Sequence, residues 1–208
     1  DALQVWSCWR VLTARPPAGD EARAPHALYG HVAPGRAYSV GEWLSEVAAL
    51  SGRLIVVGGT GLYLNALTRG LAVIPPTPPE IRASADALRA TPQGLARMIA
   101  GLDTETSGRI DLPNPVRVQR AWEVLQATGR GIAAWQAETP PPLIEPSSAH
   151  LLILQADRDW LAARIARRFQ LMLDQGALDE VRAVLPDWDA SALWAKAIGA
   201  PELVAHLQ

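Results

Sequence analysis

Arg53-Leu-Ile-Val-Val-Gly-Gly-Thr-Gly-Leu-Tyr-Leu-Asn-Ala-Leu67 is the stretch that decides the fold. Its apolar run, 54–57, is rich in β-branched residues and bounded by glycines, which predicts a strand buried on both faces of a parallel sheet. The glycines around Thr60 allow a tight turn, and the residues that follow repeat at helical spacing. Open α/β sheets bind ligands at such strand ends. The turn lacks the Lys-Ser/Thr of a Walker A loop and the GxGxxG pattern, so taken alone it also suits a turn without a ligand.

The composition is that of an ordinary globular protein. The 208 residues, 49% hydrophobic and 19% charged, suffice for one sizeable core and a second small domain. A net charge of −2 means that any nucleic-acid contact must come from local clusters. The single cysteine, Cys8, excludes an internal disulfide, and the scattered histidines predict no metal site. No apolar run has the length of a membrane span, and a reducing cytoplasm is the simplest compartment.

Two proline clusters, 75–79 and 139–142, predict the domain boundaries, because such stretches join neither helices nor central strands. Between them the pattern predicts short helices. We therefore predict an α/β core, formed by residues 1–74 and 143–208, and a helical insertion subdomain, 75–142.

Helical patterns and their stop signals predict most of the remaining elements. The clearest helix follows Asn114 as cap, has Pro115 in its first turn and stops at Gly129. Residues 151–154 form a second candidate for a buried strand. The helices predicted are 41–50, 80–89, 92–102 with Thr91 as cap, 115–128, a long helix capped by Asp157 and ending at Gly176, 178–185, and one from Pro201. The long helix carries an apolar stripe of Leu161, Ile165, Phe169 and Met172.

The glycine turn and several other blocks resemble the signatures of the tRNA dimethylallyltransferases, which prenylate an adenosine beside the anticodon. The blocks cover most of the chain: Asp1-Ala-Leu-Gln-Val-Trp6, Thr13-Ala-Arg-Pro16, Pro25-His26, Tyr38-Ser-Val-Gly41, Val57-Gly-Gly-Thr-Gly-Leu-Tyr63, Asn114-Pro-Val-Arg-Val-Gln-Arg-Ala-Trp-Glu123 and Arg164-Ile-Ala-Arg-Arg-Phe169. The resemblance implies a P-loop-NTPase-like parallel-sheet core with a helical insertion. It also implies transfer of a dimethylallyl group from dimethylallyl diphosphate to N6 of the adenosine.

Asp1 and Thr60 are the candidate catalytic residues. A carboxylate at a strand end can accept a proton in a cleft, and a hydroxyl on a glycine turn can reach a ligand without steric conflict. Taken alone, Asp1 also suits a solvated charge, and Thr60 suits a hydroxyl bonded within its own turn. The resemblance implies that Asp1 takes a proton from the exocyclic amine of the adenine and that Thr60 lies in the active centre.

Arg164 and Arg168 are the candidates for binding the diphosphate of the co-substrate. They lie one helical turn apart, away from the apolar stripe. Two guanidinium groups on one face can bind a diphosphate bidentately, although arginine pairs are also common on solvated helix faces. The resemblance matches Arg168 with the family's diphosphate-contacting arginine and favours it over Arg164.

The helix after Asn114 is the candidate RNA contact. Its apolar pattern places Gln119, Arg120 and Glu123 on the opposite face, with Arg117 at the margin, so truncating Arg120 should leave the core intact. An outward arginine suits an RNA backbone. The resemblance implies tRNA contacts from Asp1, Ala2, Leu3, Gln4, Arg82, Val116, Arg117, Val118, Gln119 and Arg120.

The resemblance further implies Mg²⁺ beside the diphosphate, tRNA as the partner through its anticodon stem-loop, and a cytoplasmic monomer without membrane association. The family carries a P-loop upstream of the residue that matches Asp1, and this loop holds diphosphate rather than hydrolysing ATP. The 208 residues do not contain it, so by themselves they are expected to have little or no prenyltransferase activity. Two alternatives stay open: a non-catalytic RNA-binding remnant, and a small-molecule or nucleotide kinase.

Three positions depart from the family's pattern. Trp6 replaces a usual tyrosine, and Leu12 replaces a usual glycine. Ala200-Pro201 replaces a usual Tyr-Arg pair, which leaves one of the family's substrate contacts open. Trp6 and Trp9 are large enough to stack on bases, but a place in the core is the simpler expectation for both.

Overall fold

The computed structural model describes all 208 residues, and helices make up nearly all of its regular structure. The α-helices α1 to α11 span Ala18–Glu21, Val40–Ala48, Gly61–Arg69, Pro79–Arg89, Gly94–Ala100, Thr104–Arg109, Pro115–Thr128, Ile132–Ala137, Arg158–Asp174, Ala177–Val184 and Ala200–Leu207. Short 3₁₀ turns cover Pro146–Ser148, Leu185–Asp187 and Trp194–Lys196. A helix with the length and hydropathy needed to cross a membrane is absent.

Helix α7 begins and ends where its sequence predicts. The Asn114 side chain accepts hydrogen bonds from the N–H groups of Val116 and Arg117, both at 3.2 Å. Pro115 occupies the first turn, where its missing N–H costs nothing. Gly129 ends the helix with a φ of 69°, a left-handed conformation that glycine adopts without strain.

The other predicted helices form with small shifts at their ends. Asp157 caps α9, its carboxylate accepting a hydrogen bond from the Trp160 N–H at 2.9 Å. The helix predicted at 92–102 is shorter, and Thr91 is not its cap, because the Thr91 hydroxyl donates to the Leu88 carbonyl instead. Helices α6 and α8 lie in the predicted helical region but were not predicted individually.

The two predicted strands do not form. Segments 54–57 and 151–154 have no β-pairing, and the one β-interaction in the structure is an isolated parallel bridge between Trp6 and Val32. Their apolar side chains are open to solvent, with exposed fractions of 89% for Ile55 and 98% for Leu154. A parallel strand needs strand partners at its edges and helices over both faces, and neither segment pairs with a strand or is buried. The structure therefore does not contain the predicted parallel sheet.

The apolar stripe of α9 is also uncovered. Leu161, Ile165 and Phe169 are exposed, and no residue of α9 is buried. The helical spacing was predicted correctly, but an apolar stripe is buried only where a second layer packs against it.

The chain divides into two compact units, each with its own core. The first combines Asp1–Leu64 with Pro146–Gln208, and the second is Asn65–Glu145. The predicted insertion, 75–142, lies inside the second unit, while the predicted core segments 1–74 and 143–208 each extend into that unit.

Aromatic residues dominate the core of the first unit. Trp9 is fully buried, and its indole N–H donates a hydrogen bond to the Trp194 carbonyl at 2.8 Å. Trp6 is buried as well and meets Tyr38 edge to face at 6.2 Å. The burial of both side chains confirms the core placement expected for Trp6 and Trp9.

The core of the second unit forms where α4, α5 and α7 meet. Ala85, Met98 and Val118 are fully buried there, one from each helix. Trp122 of α7 packs against the same cluster from its edge. Because α7 is the shared partner of α4 and α5, its position fixes what the unit presents on its surface.

Candidate active site and RNA-binding surface

The glycine turn holds Thr60 beside Asp1. The Ala2 N–H donates a hydrogen bond to Thr60 Oγ1 at 3.3 Å, and the Asp1 α-amino group donates to the Val57 carbonyl at 3.4 Å. Gly58 comes so close that a Cβ atom there would lie 3.2 Å from the Asp1 nitrogen. Contact at that distance is tighter than side chains normally make, so glycine at this position permits the close approach.

The Asp1 carboxylate is oriented by its own backbone. Its Oδ1 accepts a hydrogen bond from the Leu3 N–H at 3.0 Å, which is the geometry of an Asx turn. Nearby, burial and then the negative charge of Glu42 raise the pKa of the Tyr63 hydroxyl.

The recess at Asp1 and Thr60 is small. Its volume of about 10 Å³ is room for about one water molecule. An adenine ring does not fit there unless the lining moves. That lining consists of Asp1, Trp43, Val56, Val57, Gly58, Thr60, Tyr63 and Leu64.

A second and larger cavity of about 410 Å³ lies elsewhere in the first unit, with Arg168 on its wall. Arg10 and Arg15 also line it, but both are bound to protein groups. Arg10 forms an ion pair with Glu21 at 3.2 Å, and Arg15 donates to the Trp9 carbonyl at 3.3 Å. Arg168 makes no hydrogen bond or ion pair in the structure, so its guanidinium is available to an anion.

Arg164 is engaged differently from Arg168. Its guanidinium lies over the Trp160 ring, 4.6 Å from the ring centre, in a cation–π contact. Arg164 is also absent from the lining of the Arg168 cavity. The structure thus separates the two predicted diphosphate contacts. Neither of them lines the recess that holds Asp1 and Thr60.

Of the remaining N-terminal candidates, Gln4 has an internal role. Its side-chain amide donates to the carbonyls of Thr13 at 3.0 Å and Ala14 at 2.9 Å. These bonds tie the first turn of the chain to the Thr13–Ala14 segment. The backbone N–H groups of Ala2 and Leu3 are the ones that bind Thr60 and Asp1.

Glu180 of α10 was not singled out by the sequence, yet it organises one wall of the Arg168 cavity. Its Oε1 accepts hydrogen bonds from the N–H groups of Arg10 at 2.9 Å and Val11 at 2.8 Å, and its Oε2 accepts from Leu12 at 3.0 Å. A carboxylate bound by three successive N–H groups fixes a turn firmly. The partners are separated by about 170 residues of sequence, so no local pattern could have revealed them.

We expect Glu180→Ala to lower the free energy of unfolding by about 1–3 kcal/mol, because three partly buried N–H groups lose their acceptor. Thermal or denaturant melts measure this. Asp179→Ala is the matched control: Asp179 is exposed and pairs only with Arg182 at 2.7 Å, so its loss should cost less than about 1 kcal/mol. Equal melting of Glu180→Ala and the parent would show that the turn does not depend on the carboxylate.

Helix α7 differs from its prediction in which side chains point outward. Gln119 and Glu123 are buried, so their predicted placement away from the packed face is wrong. Val118 is fully buried, and Arg120 is partly buried. Arg117 and Val116 are exposed. The reason is that α4 and α5 both pack on α7, which leaves it a narrower solvent face than one apolar stripe predicts.

The buried polar residues of α7 form a network with α4. Arg82 of α4 pairs with Glu123 at 3.3 Å, and Arg120 approaches the same carboxylate oxygen at 3.8 Å. Arg120 also donates a hydrogen bond to Thr77 Oγ1. Burial lowers the pKa of the Arg120 guanidinium, and the charge of Glu123 opposes this shift. Two predicted tRNA contacts, Arg82 and Arg120, therefore share one buried partner.

No group of three or more His, Cys, Asp or Glu side chains that could hold a metal ion is present. The Mg²⁺ implied by the resemblance has no ligand set of its own among these residues.

Solved structures with a similar fold define the class of protein. The full-length tRNA isopentenylpyrophosphate transferase of Bacillus halodurans matches with a TM-score of 0.60 at 27% identity, over 100% of this chain and 67% of that one. A tRNA isopentenylpyrophosphate transferase of Staphylococcus epidermidis shares the fold with a TM-score of 0.56 at 23% identity, over 100% and 70%.

The family model described as IPP transferase matches residues 4–208, so the chain belongs to that family. It is 78% identical to a tRNA dimethylallyltransferase of Paracoccus denitrificans, over 100% of this chain and 72% of the relative. It is 65% identical to a tRNA dimethylallyltransferase of Dinoroseobacter shibae, over 100% of this chain and 71% of the relative. The resemblance that the motifs indicated is thereby confirmed.

Proposed function

We propose that this protein is a tRNA dimethylallyltransferase, which moves a dimethylallyl group from dimethylallyl diphosphate to N6 of an adenosine next to the anticodon. The relatives' names supply dimethylallyl transfer to tRNA, and the resemblance of the motifs supplies the adenosine and its N6. The observation within the chain that carries it is the close association of Asp1 with Thr60 at the glycine turn. A carboxylate and a hydroxyl beside one glycine turn suit the activation of an amine.

In the proposed reaction, N6 of adenine forms a bond to the allylic carbon as the carbon–oxygen bond to diphosphate breaks. Asp1 accepts the proton that N6 loses, as a general base. Diphosphate leaves with the bonding electrons. Arg168 can stabilise the charge that develops on it only if the Arg168 cavity and the recess at Asp1, which share no lining residue, come together when the substrates bind. The adenosine must leave its stack in the anticodon loop to reach Asp1. The recess of about 10 Å³ must therefore widen when RNA binds.

We further propose that segments 54–57 and 151–154 are strands of a P-loop-NTPase-like parallel sheet in the active enzyme, with 75–142 as a helical insertion and 1–74 and 143–208 as the core. What supports this is the composition of the two segments, which are apolar and exposed as they stand. Exposed apolar runs of this kind are costly in water unless they are paired and covered. A cytoplasmic monomer that takes Mg²⁺ together with the diphosphate completes the proposal.

The direct test is prenyl transfer to an unmodified anticodon stem-loop, assayed with any gene-encoded residues upstream of Asp1 included. Transfer to the adenosine supports the proposal. Stem-loop binding without transfer would indicate an RNA-binding remnant. Phosphorylation of a small molecule or nucleotide without RNA binding would indicate a kinase.

The RNA side of the proposal predicts different behaviour for two arginines of α7. Arg117 is exposed, so Arg117→Ala should weaken stem-loop binding and reduce the slope of log K against log salt by about one counterion, without moving the melting temperature. Arg120 also supports Glu123, so Arg120→Ala should weaken binding and in addition cost about 1–2 kcal/mol of stability.

Stem-loop titrations at several salt concentrations and thermal melts of both variants make the comparison. The predicted loss of stability in Arg120→Ala replaces the expectation that truncating Arg120 leaves the core intact. If Arg117→Ala binds with the parent's affinity and salt slope, Arg117 is not part of the RNA surface.

A further inference from the structure

The buried carboxylate of Glu123 faces two partly exposed cations, Arg82 and Arg120. Glu123 keeps only 2% of its surface exposed, while the side chains of Arg82 and Arg120 keep 57% and 39%. Both arginines contact the same oxygen of Glu123, Oε2. Arg82 Nη2 lies 3.3 Å from it and Arg120 Nη1 lies 3.8 Å from it. The anion is thus hidden and the two cations reach the surface. An incoming phosphate would meet guanidinium groups and not the carboxylate between them.

The second oxygen of Glu123 is also held. Oε1 accepts a hydrogen bond from the Gln119 amide at 2.9 Å, and the same amide donates to Asp86 at 2.7 Å. Glu123 is therefore fixed from both sides, by an amide on one oxygen and by guanidinium groups on the other. A carboxylate held in this way has one orientation, and it imposes that orientation on the arginines it binds.

The arginines keep most of their donors free. The contacts with Glu123 and Thr77 use Nη2 of Arg82 and Nη1 of Arg120, and a guanidinium has five N–H donors. An unrestrained arginine loses much side-chain freedom when it binds a phosphate, and an arginine already held in place loses less. Two guanidinium groups anchored on one carboxylate oxygen can each offer free N–H donors to a phosphate of an RNA strand.

We propose that Glu123 is a positioning residue for RNA recognition: it holds Arg82 and Arg120 as a pair aimed at two phosphates of the bound tRNA. The inference rests on the proposed function, in which this surface binds tRNA. Glu123 itself does not touch the RNA. A buried ion pair is weak evidence for a role in stability alone, since desolvation offsets much of its attraction.

The direction in which one substitution changes stem-loop affinity separates a positioning role from a purely electrostatic effect. Glu123→Gln removes a negative charge beside the RNA surface, so without a positioning role it should leave stem-loop affinity unchanged or raise it. If Glu123 positions the arginines, the same variant weakens binding, by about tenfold, which is the size of one charge-assisted hydrogen bond. Glu80→Gln is the matched control: Glu80 is an exposed carboxylate of α4 that has no contact with either arginine, and its loss should not weaken binding.

The measurement is a titration of an unmodified anticodon stem-loop at several salt concentrations, with a thermal melt of each variant. The double variant Arg82→Ala/Arg120→Ala tests the underlying RNA surface. In that background Glu123→Gln should have no further effect on binding, because the groups it positions are gone. If the double variant binds like the parent, the assignment of this surface to RNA binding is wrong. If the double variant is weakened while Glu123→Gln binds as tightly as the parent or tighter, the positioning role is wrong.

Glu123→Asp covers the case in which Glu123→Gln is unfolded at the temperature of the titration. It keeps the charge and withdraws the carboxylate by one methylene group. Weaker binding at unchanged net charge supports the positioning role, and parental binding overturns it.

Discussion

Asp1→Asn is expected to lower the single-turnover rate of prenyl transfer by about 10²–10⁴-fold, the usual cost of removing a general base. Stem-loop affinity should change little, since Asp1 acts on the proton of N6 in this mechanism. Asparagine is a more selective substitution than alanine. Its side-chain oxygen can still accept the Leu3 N–H that shapes the turn, so the variant removes the base and keeps the geometry.

The rate is measured with saturating dimethylallyl diphosphate and stem-loop, again with any gene-encoded residues upstream of Asp1 included. Asp20→Asn is the control, because Asp20 is an exposed acid in α1, away from the recess lining. A parental single-turnover rate for Asp1→Asn would remove Asp1 from the mechanism. A loss of affinity as large as the loss of rate would assign it to binding instead.

The part of the fold that the sequence predicted is the part specified by neighbouring residues. Asn114, Pro115 and Gly129 act within a turn of the helix they delimit, and Asp157 acts within three residues. The prediction of the two strands was wrong for the opposite reason. A segment such as 151–154 becomes a strand only when distant segments pair with it, and composition alone does not supply those partners.

The same difference between neighbouring and distant residues applies to the site. The motif blocks led to Asp1 and Thr60, which the structure brings together. The burial of Glu123 was missed because its partner Arg82 lies 41 residues away and no periodicity links them. One signal was available: Gln119 and Glu123 are four residues apart on a helix, a spacing that lets their side chains bond.

Arg168 and Arg164 should differ widely in their effect on the co-substrate. Arg168→Ala is expected to raise KM for dimethylallyl diphosphate by about 10–100-fold, the equivalent of a charge-assisted hydrogen bond or two. Arg164→Ala should stay within about threefold of the parent. The contrast follows from their surroundings: Arg168 has no protein partner and lines a cavity of about 410 Å³, whereas Arg164 lies over Trp160.

Steady-state kinetics with varied dimethylallyl diphosphate at saturating stem-loop separates the two arginines. Arg168→Lys adds a test of geometry, because lysine keeps the charge but not the planar fork, so its KM should fall between those of the parent and Arg168→Ala. Thermal melts confirm that each variant is folded, and both side chains are exposed, so shifts should be small. If Arg164→Ala raises KM more than Arg168→Ala does, the diphosphate binds on the Trp160 side of α9 and the assignment of the cavity is wrong.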